Sequence, residues 1–219
     1  MDLSMAFMFI GFALAAYAVI ANDSVQTLGT FMASNSHIKW YWLWLAAFSV
    51  FVFTVLYSWY LNGGDISHGR LNKIPFHTIE WYHTLGPLAL FILTRFGIPV
   101  STTFMVLSLF ASSLILEKML IKSFIGYGLA AVTAFTLWFV LSRFLDEHLP
   151  VKDEHKKMWR VGQWLTTGFL WFTWLSHDMA NIAVFLPRNL EFTWVLGVIA
   201  LCGILLAYIF NLNYYLICN

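Results

Sequence analysis

Two acidic residues stand inside apolar sequence, and their neighbours match. Asp23 follows the uncharged run Met5–Ala21, and Asp178 is the only acid in Val161–Pro187. Asn22 precedes the first and His177 the second, and an amide lies three residues beyond each, Gln26 and Asn181. An ionisable side chain at membrane depth is costly, so its default reading is an ion or substrate pathway. Two such groups in similar local patterns point to a duplicated unit. A third polar group, Ser101-Thr102-Thr103, follows Pro99-Val100. Carboxylate, amide and hydroxyl oxygens are hard ligands suited to hard cations. Hydroxyls at a helix start add N–H groups and a positive dipole end, which favour an anion. The set therefore suits an oxyanion bound together with a cation, since hydroxyls donate to one and accept the other. No lysine in the apolar runs offsets Asp23 and Asp178, and only Arg95 lies near the hydroxyl run. An entering anion then needs sodium or protons with it. Taken singly, Asn-Asp reads as a cap or turn and Ser-Thr-Thr after proline as an N-cap. The combination at matching positions favours a site.

The elements that must hold these groups are membrane helices. Of 219 residues, 60% are hydrophobic and 11% charged, and the mean hydropathy is +0.74. A soluble domain carries roughly 25% charged residues. The chain thus reads as an all-α, polytopic integral membrane protein, multi-pass in the inner (plasma) membrane, with the lipid bilayer as solvent. Eleven Trp, among them Trp40, Trp42, Trp44, Trp81, Trp159 and Trp164 near segment ends, fit interfacial anchoring. Trp138 and Trp174 read as packed between helices. The net charge of +1 and the lack of a basic stripe exclude nucleic-acid binding. Cys202 and Cys218 read as packing residues. The first apolar stretch lacks a basic n-region and reads as a retained segment.

A helical span needs about 20 apolar residues. Leu3–Ile20, Trp40–Leu61, Leu85–Phe96, Val100–Leu116, Phe124–Phe144, Val161–Leu186 and Phe192–Phe210 are the candidates. The third is too short to span, and Gly97-Ile98-Pro99 separates it from the fourth. That pattern predicts a re-entrant hairpin or a broken helix, whose irregular backbone must be buried in protein or line a cavity. The polar connections are Ala33–Lys39, Asn62–His83, Glu117–Ser123 and Leu145–Arg160, with a turn at Gly63-Gly64-Asp65. Arg143, Lys152, Lys156, Lys157 and Arg160 place the last connection on the cytoplasmic side. The expected organisation is a first repeat over 1–144, a cytoplasmic linker over 145–160, and the start of a second, incomplete repeat over 161–219.

On these motifs the chain resembles the inorganic phosphate transporter (PiT) family, sodium- or proton-coupled phosphate carriers with related sulfate permeases. That family carries a Gly-Ala-Asn-Asp-Val-Ala-Asn-like motif and a Pro-Val-Ser-Thr-Thr-His-like motif in each inverted half. Asn22-Asp23 matches the first, with Gln26 at its second Asn and Gly29-Thr30 at its trailing Gly-Thr. Pro99 to Thr103 matches the second motif over five residues, and Asp178 and Asn181 match the repeat. The resemblance implies an inverted-repeat transporter with broken or re-entrant helices. Its ion and substrate site takes Asn22, Asp23, Gln26, Ser101, Thr102, Thr103, His177, Asp178 and Asn181, with Asp23 and Asp178 as ligands of a sodium ion. It implies inorganic phosphate, or a related oxyanion such as sulfate, as cargo, Na+ or H+ as coupling ion, no further cofactor, and no enzymatic activity.

The departures are local. His177 stands for an Asn, Phe104 for the His after Ser-Thr-Thr, and Ile20 for a Gly. The family's acidic residue in the second span has no counterpart in Trp40–Leu61. A histidine beside Asp178 titrates near neutral pH and favours proton coupling. No second Pro-Val-Ser-Thr-Thr follows Asn181, so a homo-oligomer or a completing second chain is expected. Two rival readings remain. One is a non-transporting subunit or transporter fragment that keeps the scaffold. The other is a redox protein using His68, His77 and His83, in which Glu80 and His83 have an i, i+3 spacing.

Overall fold

A computed structural model describes residues 2–98, 100–148 and 153–218, with side chains except at 144–148, 153–155 and 217–218. Pro99 and Lys152 lie outside the described residues, as does the Cys218 side chain. The protein is all-α. Its helices are α1 (Leu3–Ser34), α2 (Trp40–Leu61), α3 (Leu85–Arg95), α4 (Thr102–Leu107), α5 (Ser113–His148), α6 (Asp153–Ala183) and α7 (Phe192–Cys218). Among the described residues α1, α2, α5 and α7 are long and apolar enough to cross a membrane. The helix carrying Asp178 falls outside that group, because Trp164, Trp171, Trp174, His177, Asp178 and Asn181 lower its hydropathy.

Contacts divide the chain into two compact units, Met1–Phe110 with Trp164–Asn219, and Ala111–Gln163. This division follows packing, whereas the boundaries at 144 and 160 follow the sequence repeat. In the second unit, none of the apolar window of α5 is buried. Residues such as Phe124, Leu129 and Phe135 face outward, as a lipid-facing helix requires.

The helix boundaries differ from expectation at four places. First, α1 runs on through Asn22-Asp23 to Ser34. Thr27, Leu28, Phe31 and Met32 continue its buried face, so tertiary burial carries the helix past the polar residues. At 1.5 Å per residue its 32 residues reach about 48 Å, against a hydrocarbon core of roughly 30 Å. Second, Glu117–Ser123 is helical within α5, since Glu117, Lys118, Met119 and Leu120 are good helix formers and no Gly or Pro interrupts them. Third, the span expected over Val100–Leu116 is split, and only Thr102–Leu107 forms a helix before the chain bends at Ala111. Fourth, the connection expected over Leu145–Arg160 is helical at both ends, its residues 145–148 belonging to α5 and 153–160 to α6.

The first unit is built on an antiparallel pair. Gly11 of α1 lies against the Phe185 ring just beyond α6, and Phe31 meets Trp164 edge-on at 5.0 Å. Between these points Asp23 and Asp178 share a cavity. α7 packs on α1 and on α2, with Phe9 stacked on Trp194 and the Trp44 indole donating to the Gly203 carbonyl. Trp171 is the tryptophan fully enclosed between helices, donating to the Ala47 carbonyl. Trp138 on α5 and Trp174 on α6, both expected to be packed between helices, are exposed instead.

α3 and α4 form a hairpin. Its base is closed where His83 stacks on Phe110 at 4.6 Å. Gly86 lets α3 approach α4, since a Cβ there overlaps the Met105 carbonyl. At the tip, Gly97 takes a left-handed φ of +70°, and the Val100 carbonyl reaches Asn22 on α1. Both ends of the hairpin return to one place, which realises the re-entrant form of the sequence expectation.

Burial holds the His83 imidazole below its ordinary value of 6.5, and its Nδ1 accepts from the Glu80 amide at 2.9 Å. The neighbouring charges on it are His77 and Glu80. Because its folded pKa is depressed, the unfolded chain binds the proton first, so stability is full above pH 6.5 and falls below it. Melting temperatures in lipid micelles should therefore fall more steeply on acidification below pH 6.5 for the wild type than for His83→Phe, which keeps the stacking without a titratable ring.

Candidate functional site

The chemistry-bearing residues approach from three directions: the middle of α1, the last turns of α6, and the return arm of the hairpin. Asp23 is 2% exposed, Asp178 6%, and Asn181 is fully buried. The two carboxyls interact electrostatically and line one cavity of about 10 Å³ with Val19, Phe51, Trp171 and Trp174. Such a volume is about that of one water-sized sphere.

Asn22 organises the α1 side. Its amide donates to Asp23 Oδ1 at 2.7 Å and to the Val100 carbonyl at 3.1 Å, which ties the carboxylate to the hairpin tip. On the α6 side, Asp178 Oδ1 faces three donors, Thr102 at 3.3 Å, Thr103 at 3.5 Å and the Asn181 amide at 3.2 Å. The same Asn181 amide lies 3.2 Å from each threonine hydroxyl. Two hydrogens on that nitrogen serve three acceptors, so the network is shared and loose. The hydroxyls thus accept from Asn181 and donate to Asp178.

Several buried oxygens have no hydrogen-bond partner: Asp23 Oδ2, Asn181 Oδ1, and the hydroxyls of Ser24 and Thr27. A buried polar atom left unpaired costs about 1–3 kcal/mol. Asp23 Oδ2 and Asn181 Oδ1 are hard oxygen donors, and Asp23 also lines the small cavity. Among the described residues no group of three or more His, Cys, Asp or Glu side chains is arranged for a metal ion. The oxygens gathered here are a mixed carboxylate, amide and hydroxyl set.

The remaining sequence candidates take other places. Ser101 is exposed and caps α4, its Oγ accepting from the Phe104 amide at 3.4 Å. Gln26 lines an open cleft of about 400 Å³ with Tyr17, Asn22, Arg95 and Asn213. Asn22 is the residue common to that cleft and to the Asp23 carboxylate. His177 is exposed, and its Nδ1 meets the Arg70 guanidinium. The helix start expected to favour an anion is slight, since α4 has six residues and too few turns to sum a macrodipole.

Sequence reading did not find Arg70, Ser24 or Thr27. Thr27 lies four residues after Asp23 and so shares its helix face, a signal present in the chain. Arg70 lies 107 residues from His177 in a polar connection, and no local pattern relates them.

The network gives a ranked expectation. Asn181→Ala removes the one donor shared by both threonine hydroxyls and the Asp178 carboxylate, and should lower stability in micelles by about 1–3 kcal/mol. Ser101→Ala removes one long, exposed cap bond and should cost no more than about 0.5 kcal/mol. Thermal unfolding of the two variants beside the wild type checks the order.

Comparison with models of known protein families, with curated proteins and with solved structures found no significant match.

Proposed function

We propose that this protein is a secondary transporter on a PiT-like scaffold, moving inorganic phosphate or a related oxyanion such as sulfate together with sodium or protons. The observation that carries this reading is the meeting of Asp23 and Asp178, from antiparallel α1 and α6, on one buried cavity at a re-entrant hairpin. Inverted repeats place equivalent helices antiparallel across the membrane plane and put the site at their interface. The antiparallel run from Gly11 and Phe185 to Phe31 and Trp164 supports that arrangement.

The mechanism follows from charge. Two carboxylates in an apolar surround favour a cation or a proton and repel a lone anion. Binding the coupling ion between Asp23 and Asp178 removes that repulsion. The Thr102 and Thr103 hydroxyls, which now satisfy Asp178, can turn to oxyanion oxygens once the cation takes their place. The open cleft with Arg95, Gln26 and Asn22 gives an anion an approach to the Asp23 side.

Uptake of radiolabelled phosphate and sulfate into proteoliposomes tests this, with imposed sodium and proton gradients. Gradient-driven uptake of at least one anion is expected, falling to background in Asp23→Asn and in Asp178→Asn. No uptake of either anion under either gradient, from folded protein, contradicts the reading and favours a non-transporting subunit.

A further inference from the structure

We infer that Arg70 is the residue that holds the substrate oxyanion, a role that rests on the transport reading above. The positive charge missing from the apolar helices is supplied by the connection between α2 and α3. Its guanidinium meets His177 Nδ1, one residue from Asp178, and attracts the Asp178 carboxylate. Arg95, the other arginine near the site, lies in the cleft that contains Asn22 and reaches Tyr17 Oη at 3.5 Å.

The segment before Arg70 is built to aim it. The Asp65 carboxylate accepts from the Ser67 amide at 2.7 Å, the Ser67 hydroxyl at 2.7 Å and the Gly69 amide at 2.9 Å. Ser58 of α2 donates to the Asp65 carbonyl and accepts from the His68 amide. His68 and Gly69 both take left-handed backbone, with φ of +55° and +71°. A non-glycine residue held there is strained, and the surrounding bonds must offset that strain. Leu71, 2% exposed, then anchors the 3-10 turn Arg70–Lys73. The base of the segment is clamped near α7 by Leu190, whose amide donates to the Gly64 carbonyl and whose carbonyl accepts from the Trp59 indole. These bonds fix the backbone that leads into Arg70.

Arginine presents five N–H donors in a planar fork suited to oxyanions. The contact with His177 occupies one of them, and the rest of the exposed guanidinium remains for a ligand. Arg70 is held by His177 and feels the charge of Asp178. A cation on the carboxylates takes over that charge and leaves the fork to the oxyanion. Anion and cation then bind as a pair, which is the requirement of coupled uptake.

The test is phosphate uptake by wild type, Arg70→Gln and Arg70→Lys, with phosphate varied at saturating cation and the cation varied at saturating phosphate. Arg70→Gln should raise the phosphate KM about ten- to a hundredfold while the cation half-saturation stays within about twofold. Arg70→Lys keeps the charge and loses the fork, so its phosphate KM should rise severalfold. Micelle melting curves establish that each variant folds. If Arg70→Gln does not fold, an unchanged KM in Arg70→Lys overturns the role. Wild-type uptake with an unchanged phosphate KM in a folded Arg70→Gln also overturns this role and leaves the transport reading intact. No wild-type uptake of phosphate or of sulfate, under either gradient, overturns both, and where sulfate is the anion carried the same KM comparison is made with sulfate.

Discussion

Desolvation of two carboxylates is the constraint on which the rest of this structure depends. Asp23 and Asp178 are both nearly inaccessible and both line a cavity that holds about one small particle. Such groups persist in an apolar surround only when paired, hydrogen-bonded or ligated. Each nearby feature answers part of that demand. Asn22 donates to Asp23, the hairpin hydroxyls and Asn181 donate to Asp178, and Arg70 brings a charge from outside the helices. The demand is not fully met, since Asp23 Oδ2 and Asn181 Oδ1 remain without partners. Under the proposed transport reading a cation supplies what these oxygens lack, and incomplete satisfaction is the physical motive for that proposal.

The hairpin answers a second constraint. Backbone that is neither helical nor in a sheet is tolerated at membrane depth only inside protein or along a cavity. The turn between α3 and α4 is placed against α1, where its Val100 carbonyl accepts from Asn22. The same amide holds Asp23 Oδ1, so the satisfaction of the loop and of the carboxylate are one event. Closing the base through His83 and Phe110 returns the chain to where it entered. The hairpin tip is thereby tied through Asn22 to the Asp23 carboxylate.

Much of this was legible because membrane sequence is constrained. The all-α class, the short third segment and the break at Gly97 follow from apolar run length and backbone permissiveness. Asp23, Asp178, Thr102, Thr103, Asn181 and Asn22 stand out because polar residues in such runs are few, and the structure gathers them. Three matters were illegible for physical reasons. Asn-Asp is a common helix stop, yet burial of Leu28, Phe31 and Met32 overrides that local preference in α1. Charged Glu117 and Lys118 resemble a loop by polarity but are strong helix formers, and α5 continues through them. Arg70 is brought to His177 only by tertiary packing of a polar connection, which no periodicity encodes. Gln26 and Ser101 show the converse, since motif spacing placed them in the set while helix geometry turns one to the cleft and the other to a cap.

The central claim is that Asp23 and Asp178 act as one cation site. Infrared difference spectra of the purified protein in lipid report carboxyl ligation and protonation directly, on stepping sodium and, separately, pH. The account predicts a carboxyl band change in the wild type for at least one step, and its loss in Asp23→Asn and in Asp178→Asn alike. A band removed by one substitution and kept by the other, or no carboxyl response to either step, contradicts it.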